Sequence, residues 1–143
     1  VLNKKEYFTR ETERFIHKHN IDKYVRNPHF PVNTLAIMRG ACYSAGKDFE
    51  EDYIEVVYQS MWEEGLKMDD PTIIQEVLNK HGLPADEIVS GSQTPEIKQL
   101  LIESTSSSVD KGNFGSPTFF VQGEMFFGKD RLEQVEEEII RLS

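Results

Sequence analysis

Gly115-Ser116-Pro117-Thr118-Phe119-Phe120-Val121 runs through Gln122-Gly123 into Glu124-Met125-Phe126-Phe127-Gly128-Lys129-Asp130-Arg131. Two apolar runs flank a two-residue turn, proline opens the first run, and a helix follows the second. Positions 119–121 and 125–127 are apolar consecutively, so they do not alternate between an inner and an outer face. Strands of that composition belong in a sheet covered by helices on both sides. A lone two-stranded hairpin cannot hold so much apolar surface in water. The strands therefore call for partners, and the residues before 117 offer only helical patterns and loops.

The chain starts on Val1-Leu2-Asn3-Lys4-Lys5, without methionine and without a strand ahead of its first helix. The expectation is a piece of a longer protein whose remaining strands come from an N-terminal segment ahead of Val1. Two alternatives stay open. One is an all-helical domain with a terminal hairpin docked on it; the other is a second subunit that completes the sheet.

Composition narrows the functional classes. At 143 residues the chain can bury a real core. Sixteen basic residues against 25 acidic ones give a net charge of −9, which argues against nonspecific nucleic-acid binding. No basic patch interleaved with aromatics occurs, no apolar run is long enough to span a bilayer, and no signal-peptide pattern is present. A single cysteine, Cys42, excludes an intrachain disulfide within this sequence and fits a reducing compartment.

Most of the chain reads as helix. Residues 4–19 bring Tyr7, Phe8, Phe15 and Ile16 towards one side, and residues 20–32 form a connector containing Pro28 and Pro31. Asn33 reads as the N-cap of a helix through about Ala45. A longer helix over roughly 48–64 carries Phe49, Tyr53, Val56, Val57, Ser60 and Met61 and ends at Gly65. Asp70-Pro71 starts another helix, which Gly82 ends. Pro84 opens a short helix, and Thr94-Pro95 opens one that runs to about Lys111. The serines at 106–108 read as a small-residue packing face. These divisions give a helical domain over 1–112 and a closing hairpin and helix over 113–143.

The helix with Tyr7 and Arg14, the connector Phe30-Pro31-Val32-Asn33-Thr34, and the block from Phe114-Gly115-Ser116-Pro117-Thr118 to Gly128-Lys129-Asp130-Arg131-Leu132 together carry a resemblance. They are similar, in this order and over nearly the whole chain, to the 2-hydroxychromene-2-carboxylate isomerases and kappa-class glutathione transferases. These form part of the DsbA-like branch of the thioredoxin superfamily. The resemblance implies an α/β, thioredoxin-like fold with an inserted all-helical domain, of which this chain matches the insert and the closing unit. It places the active serine or cysteine in an opening strand-helix-strand unit upstream, so no catalytic residue is assigned in this chain, which alone should be inactive.

The same resemblance implies glutathione as cofactor and a glutathione-binding set of Ser116, Pro117, Phe127, Gly128, Lys129 and Asp130. If the Ser116–Pro117 bond is cis, the Ser116 backbone can pair with an extended peptide such as glutathione as a short added strand. The plain reading of Pro117 is a trans proline at a strand start. The family usually has an aliphatic residue where Ser116 stands, a change expected to affect side-chain packing near the thiol more than backbone pairing. Asp130 with Glu133 reads, from the residues alone, as a capping box that opens the last helix. The resemblance adds a second role, with the Asp130 carboxylate accepting the ammonium of the γ-glutamyl end. Lys129 adds positive charge there, unless it is merely solvated.

Phe30, Asn33 and Arg39 are candidates for the cleft that takes a small, aromatic organic substrate. The activity implied for the complete protein is glutathione-dependent isomerisation or transfer, with the glutathione thiolate as nucleophile. A DsbA-like thiol-disulfide oxidoreductase, needing a Cys-x-x-Cys upstream, is the alternative enzyme. A helical interaction domain completed by a partner chain is the alternative outside enzymes. The resemblance further implies a homodimer in the bacterial cytoplasm or in mitochondria or peroxisomes, and the charge and the short apolar runs call for no nucleic-acid or membrane partner. His17 and His19 lie two apart on a helix and make a poor metal pair, so no metal is expected. His81 sits at a helix end, where an imidazolium suits the dipole. Cys42 and Trp62 read as core residues.

Overall fold

A computed structural model describes residues 2–143 of the protein. Its elements are α1 (Leu2–Lys18), α2 (Leu35–Ser44), α3 (Glu50–Trp62), α4 (Pro71–Lys80), α5 (Ala85–Ser92), α6 (Pro95–Asp110), β1 (Thr118–Val121), β2 (Glu124–Phe127) and α7 (Leu132–Leu142), with a single 3₁₀ turn at Lys129–Arg131 before α7. Two compact units divide between Leu101 and Ile102, inside α6. The sequence reading divides the chain at 112/113, after that helix.

Local signals set most helix ends. Asp70 caps α4 by accepting the N–H of Thr72 at 2.9 Å, with Pro71 in the first turn. The chain then turns through Gly82 at φ +74°, a conformation that glycine enters without steric cost. Thr94 starts α6 by accepting the N–H of Ile97 at 3.4 Å. One cap falls a residue away from its expected place. Thr34 occupies the N-cap of α2, while Asn33 stands just ahead and accepts the Leu35 N–H at 3.1 Å. Asn33 thus serves the helix start as an Asx turn.

The core of the first unit lies among α2, α3, α4 and α5 and contains Ile37, Tyr53, Val56, Met61, Met68, Ile74, Val77, Leu78, Leu83, Ala85 and Ile88. Two glycines allow the helices to come this close. A Cβ at Gly40 would run into the Tyr53 side chain, and one at Gly91 into the Tyr43 ring. Buried Tyr53 donates its hydroxyl to the Ile37 carbonyl at 2.7 Å, and burial pushes its phenol pKa upward. The connector after α1 is pinned by buried Asn27. Its amide nitrogen donates to the carbonyls of Met61 and Leu66 at 2.9 and 2.8 Å, and its Oδ1 accepts the His29 N–H at 2.8 Å. A buried amide this fully partnered fixes the path of the loop instead of destabilising it.

In the second unit β1 and β2 pair antiparallel, with Phe119 opposite Phe126 and Phe120 opposite Met125. Gln122 and Gly123, both at positive φ, make the turn, as a two-residue hairpin of native twist requires. Among the described residues these two strands form the whole sheet. Phe120, Met125 and Phe127 stay 39%, 36% and 43% exposed, so the hairpin presents apolar surface where its sequence had called for neighbours.

Candidate functional site

The closing block is organised by one side chain that the sequence reading overlooked. Asn113, just past α6, donates its amide N–H₂ to Ser108 Oγ at 2.8 Å and accepts the Gly115 N–H at 2.9 Å. The Thr118 hydroxyl lies 3.1 Å from the same Asn113 Oδ1 and 2.7 Å from the Gly115 carbonyl. Loop 113–118 is therefore tied at both ends. Gly115 packs against Phe127 so closely that a Cβ there would come within 2.8 Å of the ring, and Phe114 flanks that ring at 4.7 Å between centroids. The signal for this arrangement is an Asn two residues ahead of a glycine at a helix end, a common turn device.

Ser116 follows, exposed, and its peptide bond to Pro117 is cis, as the resemblance implies. Neither the N–H nor the C=O of Ser116 has a hydrogen-bond partner among the described residues. Pro117 is already engaged: its carbonyl accepts the Gly128 N–H at 2.9 Å, one step beyond the Thr118–Phe127 pair. This bond places Ser116-Pro117 beside Phe127-Gly128, on neighbouring strand ends. Gly128, at φ +105°, then turns the chain into the 3₁₀ segment that carries Lys129 and Asp130. Lys129 Nζ lies 2.8 Å from Asp130 Oδ1, and the Asp130 side chain is 64% exposed. The six residues named from the sequence are contiguous in space.

The capping box expected at Asp130–Glu133 is altered by that 3₁₀ turn. Asp130 sits inside the turn, and the N-cap position of α7 falls on Arg131, which makes no side-chain cap. The 3₁₀ turn shifts the helix start by one residue.

The three candidates in the first unit take separate local roles. Asn33 forms the Asx turn ahead of α2, and its N–H lies 3.4 Å from Asp69 Oδ2. Lys67, bonded to Asp69, holds that carboxyl below its ordinary range, with the Asn33 N–H assisting. Arg39 is half-buried on α2, with its Nε buried and unpartnered. Phe30 is 61% exposed and lines a cavity of about 460 Å³ between α1, the connector and Trp62. The face of α1 towards this cavity carries Lys5, Phe8, Thr9, Thr12, Glu13 and Ile16, a helical-period stripe that the sequence reading had not separated out. Cys42 is half-buried rather than core, and burial raises its thiol pKa. Trp62 is also half-buried, and its ring stacks on Tyr24 at 6.1 Å. Among the described residues no three metal-binding side chains converge, and no helix is long and apolar enough to cross a membrane.

Comparison with known proteins places this geometry. A family model described as "DSBA-like thioredoxin domain" matches residues 2–140. A 2-hydroxychromene-2-carboxylate isomerase of Sphingobium xenophagum is 27% identical over 96 residues, 67% of this chain and 49% of that protein. One from Pseudomonas putida is 29% identical over 118 residues, 79% of this chain and 57% of that protein. A solved structure of 2-hydroxychromene-2-carboxylate isomerase superposes with a TM-score of 0.83 at 25% identity, covering 96% of this chain and 66% of its own. The chain spans about half the length of the curated relatives it matches. With the match to the family model running almost end to end, the fold is that of DsbA-like thioredoxin proteins, and the chain belongs to the DSBA-like thioredoxin domain family.

Proposed function

We propose that the whole protein is a glutathione-dependent isomerase or transferase acting on a small aromatic substrate, in the manner of a 2-hydroxychromene-2-carboxylate isomerase. The observation that carries this reading is the unpaired backbone of exposed Ser116 at the lead-in to β1. An N–H and a C=O of one residue, both open at a strand end, are what an extended peptide needs to pair as an added strand. Lys129 and Asp130 stand next along the chain, beyond Gly128, and offer a cation and an anion to the zwitterionic γ-glutamyl end. The names of the relatives point to the isomerase chemistry.

Thiol activation is a separate requirement. A thiolate is stabilised near neutral pH by a helix N-terminus or a hydrogen-bond donor. Cys42, half-buried with a raised pKa, has the opposite environment and is not that group. The reading assigns the activating serine hydroxyl or cysteine thiol to the portion of the relatives' length that this chain does not span. Glutathione then supplies the nucleophile.

The test is turnover of 2-hydroxychromene-2-carboxylate by the full-length protein, followed by absorbance with and without glutathione. Isomerisation that depends on glutathione is expected. Turnover unaffected by omitting glutathione contradicts the cofactor assignment. Reduction of a disulfide substrate without isomerisation supports the oxidoreductase alternative instead.

A further inference from the structure

At the lead-in to β1 the two neighbours of Ser116 have no open backbone group. Gly115 gives its N–H to Asn113 Oδ1 at 2.9 Å, and its carbonyl accepts from the Thr118 hydroxyl at 2.7 Å. Pro117 has no N–H, and its carbonyl accepts the Gly128 N–H at 2.9 Å. Ser116 alone of the three keeps both groups unpaired among the described residues. Gly115 is the weak point of this arrangement. Without a Cβ it has more backbone freedom than any other residue type, and a Cβ there would come within 2.8 Å of the Phe127 ring. The direction of the Ser116 peptide therefore has to be set from outside residue 115.

The Asn113 side chain supplies that restraint. Its Oδ1 closes an Asx turn on the Gly115 N–H, and its Nδ2 donates to Ser108 Oγ at 2.8 Å, which fastens the turn to the last turn of α6. The helix end does not need this side chain, because backbone bonds already close it. The N–H groups of Lys111, Gly112 and Asn113 donate to the carbonyls of Ser107, Val109 and Ser108 at 3.2, 2.8 and 3.1 Å. The Asn113 amide is spent on the loop.

We propose that Asn113 is a positioning residue for glutathione: through Gly115 it holds the open N–H and C=O of Ser116 in the direction in which an extended γ-glutamyl peptide pairs with them. The inference rests on the glutathione reading and adds to it a residue that acts through another. Fixing a binding edge beforehand raises affinity by removing part of the ordering cost at binding. An Asx turn that merely finished α6 would show in stability and leave affinity alone.

Calorimetric titration of glutathione into the full-length protein and three variants tests it, with melting curves on the same samples and salt enough to screen an added charge. Asn113→Ala removes both ties and should raise the dissociation constant about tenfold, the order expected when one residue's backbone must be fixed on binding. Asn113→Asp keeps the Asx turn, and the Ser108 hydroxyl can rotate to donate to the carboxylate, so affinity should return to within about twofold of wild type. Ser108→Ala releases only the anchor on α6 and should fall between the two. Unchanged affinity in Asn113→Ala overturns the proposal, as does a loss in Asn113→Asp as large as in Asn113→Ala. If melting curves show that Asn113→Ala does not fold, Ser108→Ala decides in its place, and unchanged affinity there overturns the proposal. Wild type that binds glutathione alongside indifferent variants overturns this inference alone, whereas wild type that does not bind glutathione overturns the cofactor assignment and this inference together.

Discussion

The first unit closes a core and the second does not. Among the described residues, every buried one lies between Asn27 and Ser92, and none from 102 to 143 is buried. Four helices in the first unit, with α2 meeting α3 at Gly40 and α5 at Gly91, seal Leu78, Met68 and Ile88 almost completely from water. The second unit has a correct hairpin turn and register, yet its phenylalanines stay partly exposed and the Ser116 backbone stays unpaired. The sealed core thus lies in the first unit, and the open groups on which the proposed glutathione site rests lie in the second. Binding segments are usually drawn from the less stable parts of a fold, because open backbone groups and uncovered rings are what a ligand can use.

Mutations should separate the two units by size of effect. Leu78→Ala empties a fully buried site and should cost about 2–5 kcal/mol in denaturant unfolding of this chain. A loss under 1 kcal/mol would mean that the first unit has no sealed core. Tyr53→Phe should cost about 1 kcal/mol through the lost bond to the Ile37 carbonyl. It should also change the response to alkali. With the phenol pKa raised in the folded state above 10.0, the native state keeps the proton longer, so this contribution is complete below pH 10 and is lost as pH rises beyond it. Stability measured from pH 9 upward should fall less steeply in Tyr53→Phe than in wild type. Asp70→Ala, which removes the cap of α4, should cost about 1 kcal/mol and lower the melting temperature accordingly. Ile140→Ala in α7, where the side chain is 67% exposed, should stay within about 0.5 kcal/mol. A larger loss there would show that Ile140 is packed and erase the contrast.

What the sequence disclosed follows the range of the interactions. Asp70-Pro71, Gly82 and Thr94-Pro95 act on their own helix ends, and the structure has them where a local reading puts them. The hairpin was equally legible, because Gln122-Gly123 and the flanking runs specify turn and register together. Contacts across space were not. Nothing adjacent to Gly40 or Gly91 announces that a tyrosine from another helix lies against it. Asn27 reads as a loop polar residue until Met61 and Leu66 are brought beside it. The 3₁₀ turn at Lys129–Arg131 displaced a cap whose residue pattern was present but whose geometry depended on Gly128. In the candidate site, the contiguity of Ser116, Pro117, Phe127 and Gly128 follows from the hairpin register. The cavity at Phe30 required the third dimension, since Trp62 and α1 reach it from far along the chain.

The central claim is that the closing block holds the γ-glutamyl end of glutathione through Asp130. Calorimetric titration of glutathione into the full-length protein and its Asp130→Asn variant tests it most directly. The amide keeps the shape and removes the charge. Loss of a charge-assisted bond worth roughly 1.5–3 kcal/mol predicts a rise of more than tenfold in the dissociation constant, with a nearly unchanged melting temperature. Equal affinity in the two proteins would contradict the claim and move the γ-glutamyl end away from this block.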